Sequence, residues 1–228
     1  MEDELTRAEV SEILESRAAS YSFLSRAYRQ EVSVEFLEGL VEELAKAPEE
    51  DAESKGHRLL RDYARRIAQA DMAKVETDLS AEYASLFLNA SSKTVHPFES
   101  VYTSTDRLLM QEARDQVVAE YRQEGLARIG EFKEPEDHIA IELEYMAYLC
   151  QKAAEGLAAG DLAAATGYLQ KQQAFLEKHL LVWIPTFSQD LAKVATSDFF
   201  RGIARLTEEH LAMEKETIAE LLEAVKEL

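Results

Sequence analysis

The feature that most limits this chain's fold is the spacing of its apolar residues, which is helical almost throughout. Val10, Ile13, Leu14, Ala18, Tyr21, Leu24 and Tyr28 recur three or four residues apart, the spacing that lines one face of an α-helix. The same spacing marks a shorter helix with Phe36, Leu37, Leu40, Val41 and Leu44, which the stretch at 47–51 breaks. Leu59, Leu60, Tyr63 and Ile67 mark a third. Residues 71–78 are polar and show no clear pattern. Residues 79–88 then carry Tyr83, Leu86 and Phe87 on one face. Only 8 Gly and 4 Pro punctuate 228 residues, which leaves little room for sheets built on tight turns.

Residues 89–103 break the period. They are rich in Ser and Thr, contain Pro97, and predict an ordered loop bearing His96, Phe98, Glu99, Ser100 and Tyr102. Helix is expected again from Ser104, with Leu108, Leu109, Val117, Val118 and Tyr121, stopping at Gly125, a natural residue just past a helix end. Residues 126–134 read as a linker, followed by a helix to about Glu155 and a turn bracketed by Gly156 and Gly160. Asp161 suits a helix cap, a break is expected between His179 and Pro185, and Ser197 or Asp198 caps the last helix. The expectation is an all-α bundle of about nine or ten helices with no convincing strand. No repeat of fixed period appears, which favours a compact bundle over a solenoid. The linker suggests an N-terminal helical lobe at 1–125, a hinge at 126–134 and a C-terminal helical lobe at 135–228.

The stretch at 134–150 organises the second half. Pro135 suits a first helical position, because its missing N–H has no partner there anyway. Glu136 and Asp137 would then lie in the first turn, where the helix dipole favours negative charge. Ile139, Leu143, Met146, Leu149 and Cys150 form one apolar stripe, and His138 and Glu142, four apart, share a second face. An Asp-His pair at a helix entrance suits holding a ligand. An acidic first turn is also routine in an ordinary helix.

Charge and cysteine usage exclude several classes. The net charge of −19 argues against nucleic-acid binding through a basic face and favours a basic peptide or protein partner. The single cysteine, Cys150, cannot form an internal disulfide and reads as a core residue. The N-terminus lacks a basic region followed by an apolar core, and no apolar run approaches the ~20 residues of a membrane span. A cytoplasmic location is expected. The motifs HExxH, GxSxG, GxxxxGK[ST] and GxGxxG are absent, and no histidine has Glu three residues before it, as a di-iron helical bundle needs. No catalytic residue, resident metal or cofactor is therefore expected. The alternative is a small helical metal-binding or hydrolytic enzyme centred on Asp137, His138 and Glu142. A third reading is a helical adaptor without peptide specificity.

Three stretches carry a resemblance. The run Glu134-Pro135-x-Asp137-His138-Ile139, followed by Glu142-Leu143-Glu144-Tyr145-Met146, resembles the signature of the TorD family of redox-enzyme maturation chaperones, related to DmsD and NarJ. Glu82-Tyr83-x-x-Leu86-Phe87 with Pro97-Phe98-Glu99-Ser100-Val101-Tyr102, and Phe175-Leu176-x-x-His179-Leu180-x-x-Trp183-x-Pro185-x-Phe187 with Asp198-Phe199-Phe200, resemble that family in the same order. The resemblance implies an all-helical fold in two lobes joined by a hinge. It also implies a chaperone that binds the twin-arginine signal peptide and apoprotein of a molybdenum-containing oxidoreductase and holds it back from export until its cofactor is inserted. Monomers and domain-swapped dimers both occur among such proteins, and the linker at 126–134 would permit a swap.

The resemblance places ligand binding at Pro135, Asp137 and His138, and Phe98 stands where several relatives carry Trp. A twin-arginine peptide offers two guanidinium groups and an apolar stretch, so its receptor should offer carboxylates and apolar walls. Asp137, Glu136 and Glu99 are the expected carboxylates, and Phe98, Tyr102 and Phe87 the expected walls, with Ser100 in the same loop. His138, with its near-neutral intrinsic pKa, would make binding pH-sensitive. Asp137 and His138 are expected to be replaceable without loss of fold.

Overall fold

The computed structural model describes residues 5–46, 54–90, 92–127 and 132–228. Among them are ten α-helices: α1 (Arg7–Arg29), α2 (Val34–Leu40), α3 (Lys55–Ile67), α4 (Met72–Phe87), α5 (Glu99–Thr103), α6 (Glu112–Gln123), α7 (Ile139–Ala158), α8 (Leu162–Phe175), α9 (Leu181–Val194) and α10 (Asp198–Glu227). Two π-helical turns, Val41–Ala45 and Leu176–Leu180, extend α2 and join α8 to α9. The described residues contain no β-strand, only an isolated antiparallel bridge between Phe98 and His138. The fold is all-α.

Side-chain caps fix several of the helix starts. The Ser33 hydroxyl accepts the Phe36 N–H, the Ser54 hydroxyl the His57 N–H, and the Asp161 carboxylate the Ala164 N–H. Such caps satisfy N–H groups that a helix start leaves without a partner.

Local interactions also correct four expectations. The polar stretch 71–78 opens α4, because Asp71 caps Ala73 and Lys74 and an i,i+4 ion pair joins Lys74 to Asp78 at 2.8 Å. Part of the expected loop at 89–103 is the helical turn α5. Leu108 and Leu109 are not helical, since Arg107 and Met110 take φ of 52° and 59° and α6 starts only at Glu112. The break expected before Pro185 is a π turn, and the helical run passes through it with Pro185 inside α9.

The chain divides into two compact units, one from residues 1–29, 98–183 and 211–228, the other from 30–97 and 184–210. These units cut across the lobes suggested by the linker, for residues 1–125 contribute to both. Of that linker, residues 128–131 lie outside the described residues.

In the first unit α1 packs along α7, and α7 along α8. Val10 and Leu14 of α1, Ala153 and Leu157 of α7, Ala165 and Leu169 of α8, and Leu221 and Val225 of α10 form one buried cluster. A charged group is buried in the same unit: Arg17 donates to Glu214 through Nε and Nη2 at 2.9 and 2.6 Å, and the Tyr21 hydroxyl donates to Glu214 at 2.7 Å. In the second unit Phe87, Tyr83, Phe199 and Phe200 pack edge to face or tilted, with ring centroids 5.0–6.4 Å apart. Gly56 lies so close to α10 that a Cβ there would stand 2.2 Å from the Leu206 backbone nitrogen.

Candidate functional site

The start of α7 is built differently from the sequence expectation. Pro135 does not begin the helix. Its carbonyl accepts the His138 N–H at 3.1 Å in a turn, and the helix begins at Ile139. His138 is the N-cap, its Nδ1 accepting the Ala140 N–H at 3.0 Å. Asp137 precedes the helix and holds the other chain segment. Its carbonyl accepts the Glu99 N–H at 3.0 Å and its Oδ2 the Ser100 N–H at 2.9 Å. The Ser100 hydroxyl then accepts the Gln111 N–H at 3.1 Å. The His138 ring meets the edges of Phe98 and Phe132, each with centroids 5.1 Å away.

These residues are inside the protein. Asp137 and Ser100 have no exposed surface, and His138, Glu99 and Phe98 keep 3, 3 and 6%. Burial pushes the His138 pKa down to about 3, with Arg29 adding repulsion, so the ring is neutral at physiological pH. A neutral buried ring gives no support to the pH-sensitive binding expected of His138. Burial raises the Asp137 pKa, opposed by its hydrogen bonds from Ser100.

Next to this lock lies a polar cluster that sequence reasoning missed. Glu142 Oε2 accepts the Trp183 Nε1–H at 2.9 Å, and His179 Nδ1 lies 2.9 Å from Glu99 Oε2. The Tyr102 ring rests 5.5 Å from that of Trp183. Burial, then the adjacent Glu99, hold the Glu142 carboxyl well above the usual carboxylate range. Asp137 Oδ1, Glu142 Oε1 and His179 Nε2 are buried without a hydrogen-bond partner among the described residues. A protonated Glu142 can use its second oxygen to donate to Glu99. The i,i+4 pair of His138 and Glu142 was legible in sequence, but the real partner of Glu142 lies 41 residues away.

The open surface of this unit lies on its other side chains. Glu136, Glu144, Arg29, Phe132, Tyr121, Tyr145 and Tyr148 line a hollow of about 590 Å³. Glu136 accepts from Arg114 Nε at 2.7 Å. Glu144 pairs with Arg29, whose guanidinium lies 4.9 Å over the Phe132 ring. A second hollow of about 550 Å³, along α1 and α7, is lined by Leu14, Ala18, Ala19, Ala154 and Ala158, with Glu15 and Glu155, and the two share Ser22 and Gln151. Of the residues expected to bind a ligand, Glu136 lines the hollow. Pro135 and Tyr102 are partly exposed. Phe87 belongs to the second unit, packed against Tyr83 and Phe200.

Among the described residues, no group of three or more His, Cys, Asp and Glu is placed to hold a metal ion. The His138 Nδ1 is already used as a cap. Cys150 is buried, and burial pushes its thiol up to about 12, far from a thiolate nucleophile. No helix among the described residues is long and apolar enough to cross a membrane.

Residues 48–189 match the family model described as nitrate reductase delta subunit. The chain is 27% identical over 215 residues to the chaperone protein TorD of Shewanella pealeana, covering 87% of this chain and 88% of that one. It is 28% identical over 210 residues to that of Vibrio vulnificus (87% and 92%). It is 29% identical over 153 residues to that of Vibrio cholerae (67% and 68%). With more than half of its length matched, the chain belongs to the nitrate reductase delta subunit family and is TorD-like within it.

Proposed function

We propose that this protein is a cytoplasmic, non-enzymatic chaperone specific to one system. It binds the twin-arginine signal peptide and the apoprotein of a molybdenum-containing oxidoreductase, and it assists cofactor insertion before export. Family membership supports the chaperone role. The observation that carries the peptide reading is the open hollow, which sets two carboxylates against aromatic walls and adjoins, through Ser22 and Gln151, a second hollow whose apolar lining is alanine and leucine. That pairing suits arginine followed by apolar residues.

The roles within the site differ from those expected. Asp137, His138, Glu99, Ser100 and Phe98 form the frame that joins α5 to α7 and do not touch the peptide. Glu136, with Glu144 and Phe132, makes the contacts, and Pro135 and Tyr102 flank them. Phe87 holds the core of the other unit. The protein acts as a monomer or as a domain-swapped dimer. The metal-enzyme alternative has less support, because no group of three or more His, Cys, Asp and Glu among the described residues is placed to hold a metal ion.

The test is made in the host. Deleting the gene should lower molybdenum occupancy of the exported enzyme, and re-expression should restore it. Full occupancy in the deletion strain would overturn the proposal.

A further inference from the structure

The carboxylates that line the open hollow are already taken by the chain's own arginines. Glu144 pairs with Arg29, and Glu136 with Arg114. An incoming arginine at either carboxylate meets one already in place, and takes the same geometry against carboxylate and ring only by exchange. The two kinds of ion pair in this unit differ in how readily they exchange. Arg17 and Glu214 keep 5 and 3% of their side-chain surface, so breaking them would strand a buried charge. Arg29 and Glu144 keep 25 and 61%, and exposed pairs of that kind are held weakly because water screens both partners.

Arg29 also reports the shape of the cradle. Its guanidinium has the Glu144 carboxylate as partner and the Phe132 ring face 4.9 Å below it. Planar charge against carboxylate and ring face suits arginine better than lysine. The adjoining channel gives the occupant a direction. Its Ala18, Ala19, Ala154 and Ala158 floor accepts a close-packed apolar segment, while Glu15 and Glu155 keep its rim acidic.

We propose that Arg29 is a built-in competitor that occupies the arginine cradle of Glu144 and Phe132 until a client segment displaces it. The client's adjacent arginines take this end of the hollow, and its apolar residues run along α1 and α7. Arg29 thereby sets a threshold: a single exposed lysine or arginine does not displace it, whereas two adjacent arginines backed by apolar burial do. This inference rests on the peptide-binding reading above and adds the occupant's position and the identity of the residue it displaces.

The experiment is calorimetric titration of wild type, Arg29→Gln and Arg29→Lys with a synthetic peptide carrying two adjacent arginines ahead of an apolar run. A matched peptide carries two lysines. Removing the competitor should tighten the arginine peptide by about threefold to tenfold, the value of an exposed ion pair plus a cation–π contact. Arg29→Lys should fall between Arg29→Gln and wild type. In Arg29→Gln/Glu144→Gln the gain should vanish. Binding to wild type with equal or weaker binding to both Arg29 variants would overturn the competitor while leaving the chaperone reading intact. No binding by any of the three proteins would overturn both. Arg29 lies in the last turn of α1 and is partly exposed, so thermal melts of the variants should stay close to wild type; the lysine variant keeps the charge at that helix end and serves if the glutamine variant melts early.

Discussion

Asp137 and Ser100, 37 residues apart in sequence, are joined by a buried hydrogen bond of 2.9 Å from the Ser100 N–H to the Asp137 carboxylate. With the 3.0 Å bond from the Glu99 N–H to the Asp137 carbonyl, it fastens the start of α5 to the turn before α7. One oxygen of that carboxylate, Oδ2, is therefore committed to the fold.

Asp137→Ala should lower unfolding stability by about 1–3 kcal/mol, because it leaves the buried Ser100 N–H without an acceptor. Asp137→Asn keeps an acceptor oxygen and should lose less. Urea unfolding of the two variants checks the order. Equal stability of Asp137→Ala and wild type would contradict the lock.

Glu142 should make the protein less stable as pH rises. Its carboxyl is raised above the ordinary 4.5 by burial and by Glu99, with Asp137 adding repulsion. A raised folded value means the contribution is complete below the unfolded pKa and is lost as pH climbs towards the folded one. Glu142→Gln still accepts from Trp183 and can donate to Glu99. It should match wild type near pH 4.5 and melt higher at about pH 8, because ionisation of Glu142 in the unfolded chain, which the amide lacks, favours unfolding of the wild type as pH rises. Melting temperatures that run parallel across this range would refute the assignment.

His138 should act at the other end of the pH scale. Its pKa is pushed from 6.5 down to about 3 by burial and by Arg29. The contribution is complete above the unfolded value and is lost as pH falls from 6.5 towards 3. His138→Asn removes the titrating group but keeps a capping side chain, so it should flatten the acid limb of the stability curve. His138→Ala should flatten it too and also lose the cap, at a cost of about 0.5–2 kcal/mol. Thermal melts between pH 4 and 7 compare the three proteins, and an unchanged acid limb in His138→Asn would count against the buried neutral ring.

Gly156 was legible as a turn residue and is in fact inside α7. A Cβ there would stand 2.9 Å from the Ala165 backbone nitrogen, so the glycine allows α7 and α8 to approach. Gly156→Ala should destabilise by about 1–3 kcal/mol through overpacking, although helix propensity alone predicts a gain of up to ~1 kcal/mol. A higher melting temperature for Gly156→Ala would show that the contact relaxes freely.

The fold was largely readable because a helix writes its buried face into the chain at a fixed spacing. Val10, Leu14 and Tyr21 of α1 are buried as that spacing requires. What escaped was set by partners far off in sequence. Nothing near Asp137 says that it will hold Ser100, and nothing near Glu142 says that it will meet Trp183. An acidic residue before a helix looks the same whether it faces solvent or a backbone N–H. The positive φ of Arg107 and Met110 likewise overrides an apolar pair, Leu108 and Leu109, that reads as helix. Glu144, the partner of Arg29, stood in plain view in the signature stretch, but Phe132, the ring beneath Arg29, lay in the linker, where no period singles it out.

The most direct test of the account is calorimetric titration of the wild-type protein with three versions of one apolar peptide, carrying two arginines, two lysines or two alanines at the same positions. The account predicts one site per chain, affinity in the order arginine, lysine, alanine, and weaker binding of the arginine peptide at higher salt, since exposed ion pairs are screened. Equal affinity for all three peptides, or no heat from the arginine peptide at any salt, would contradict it.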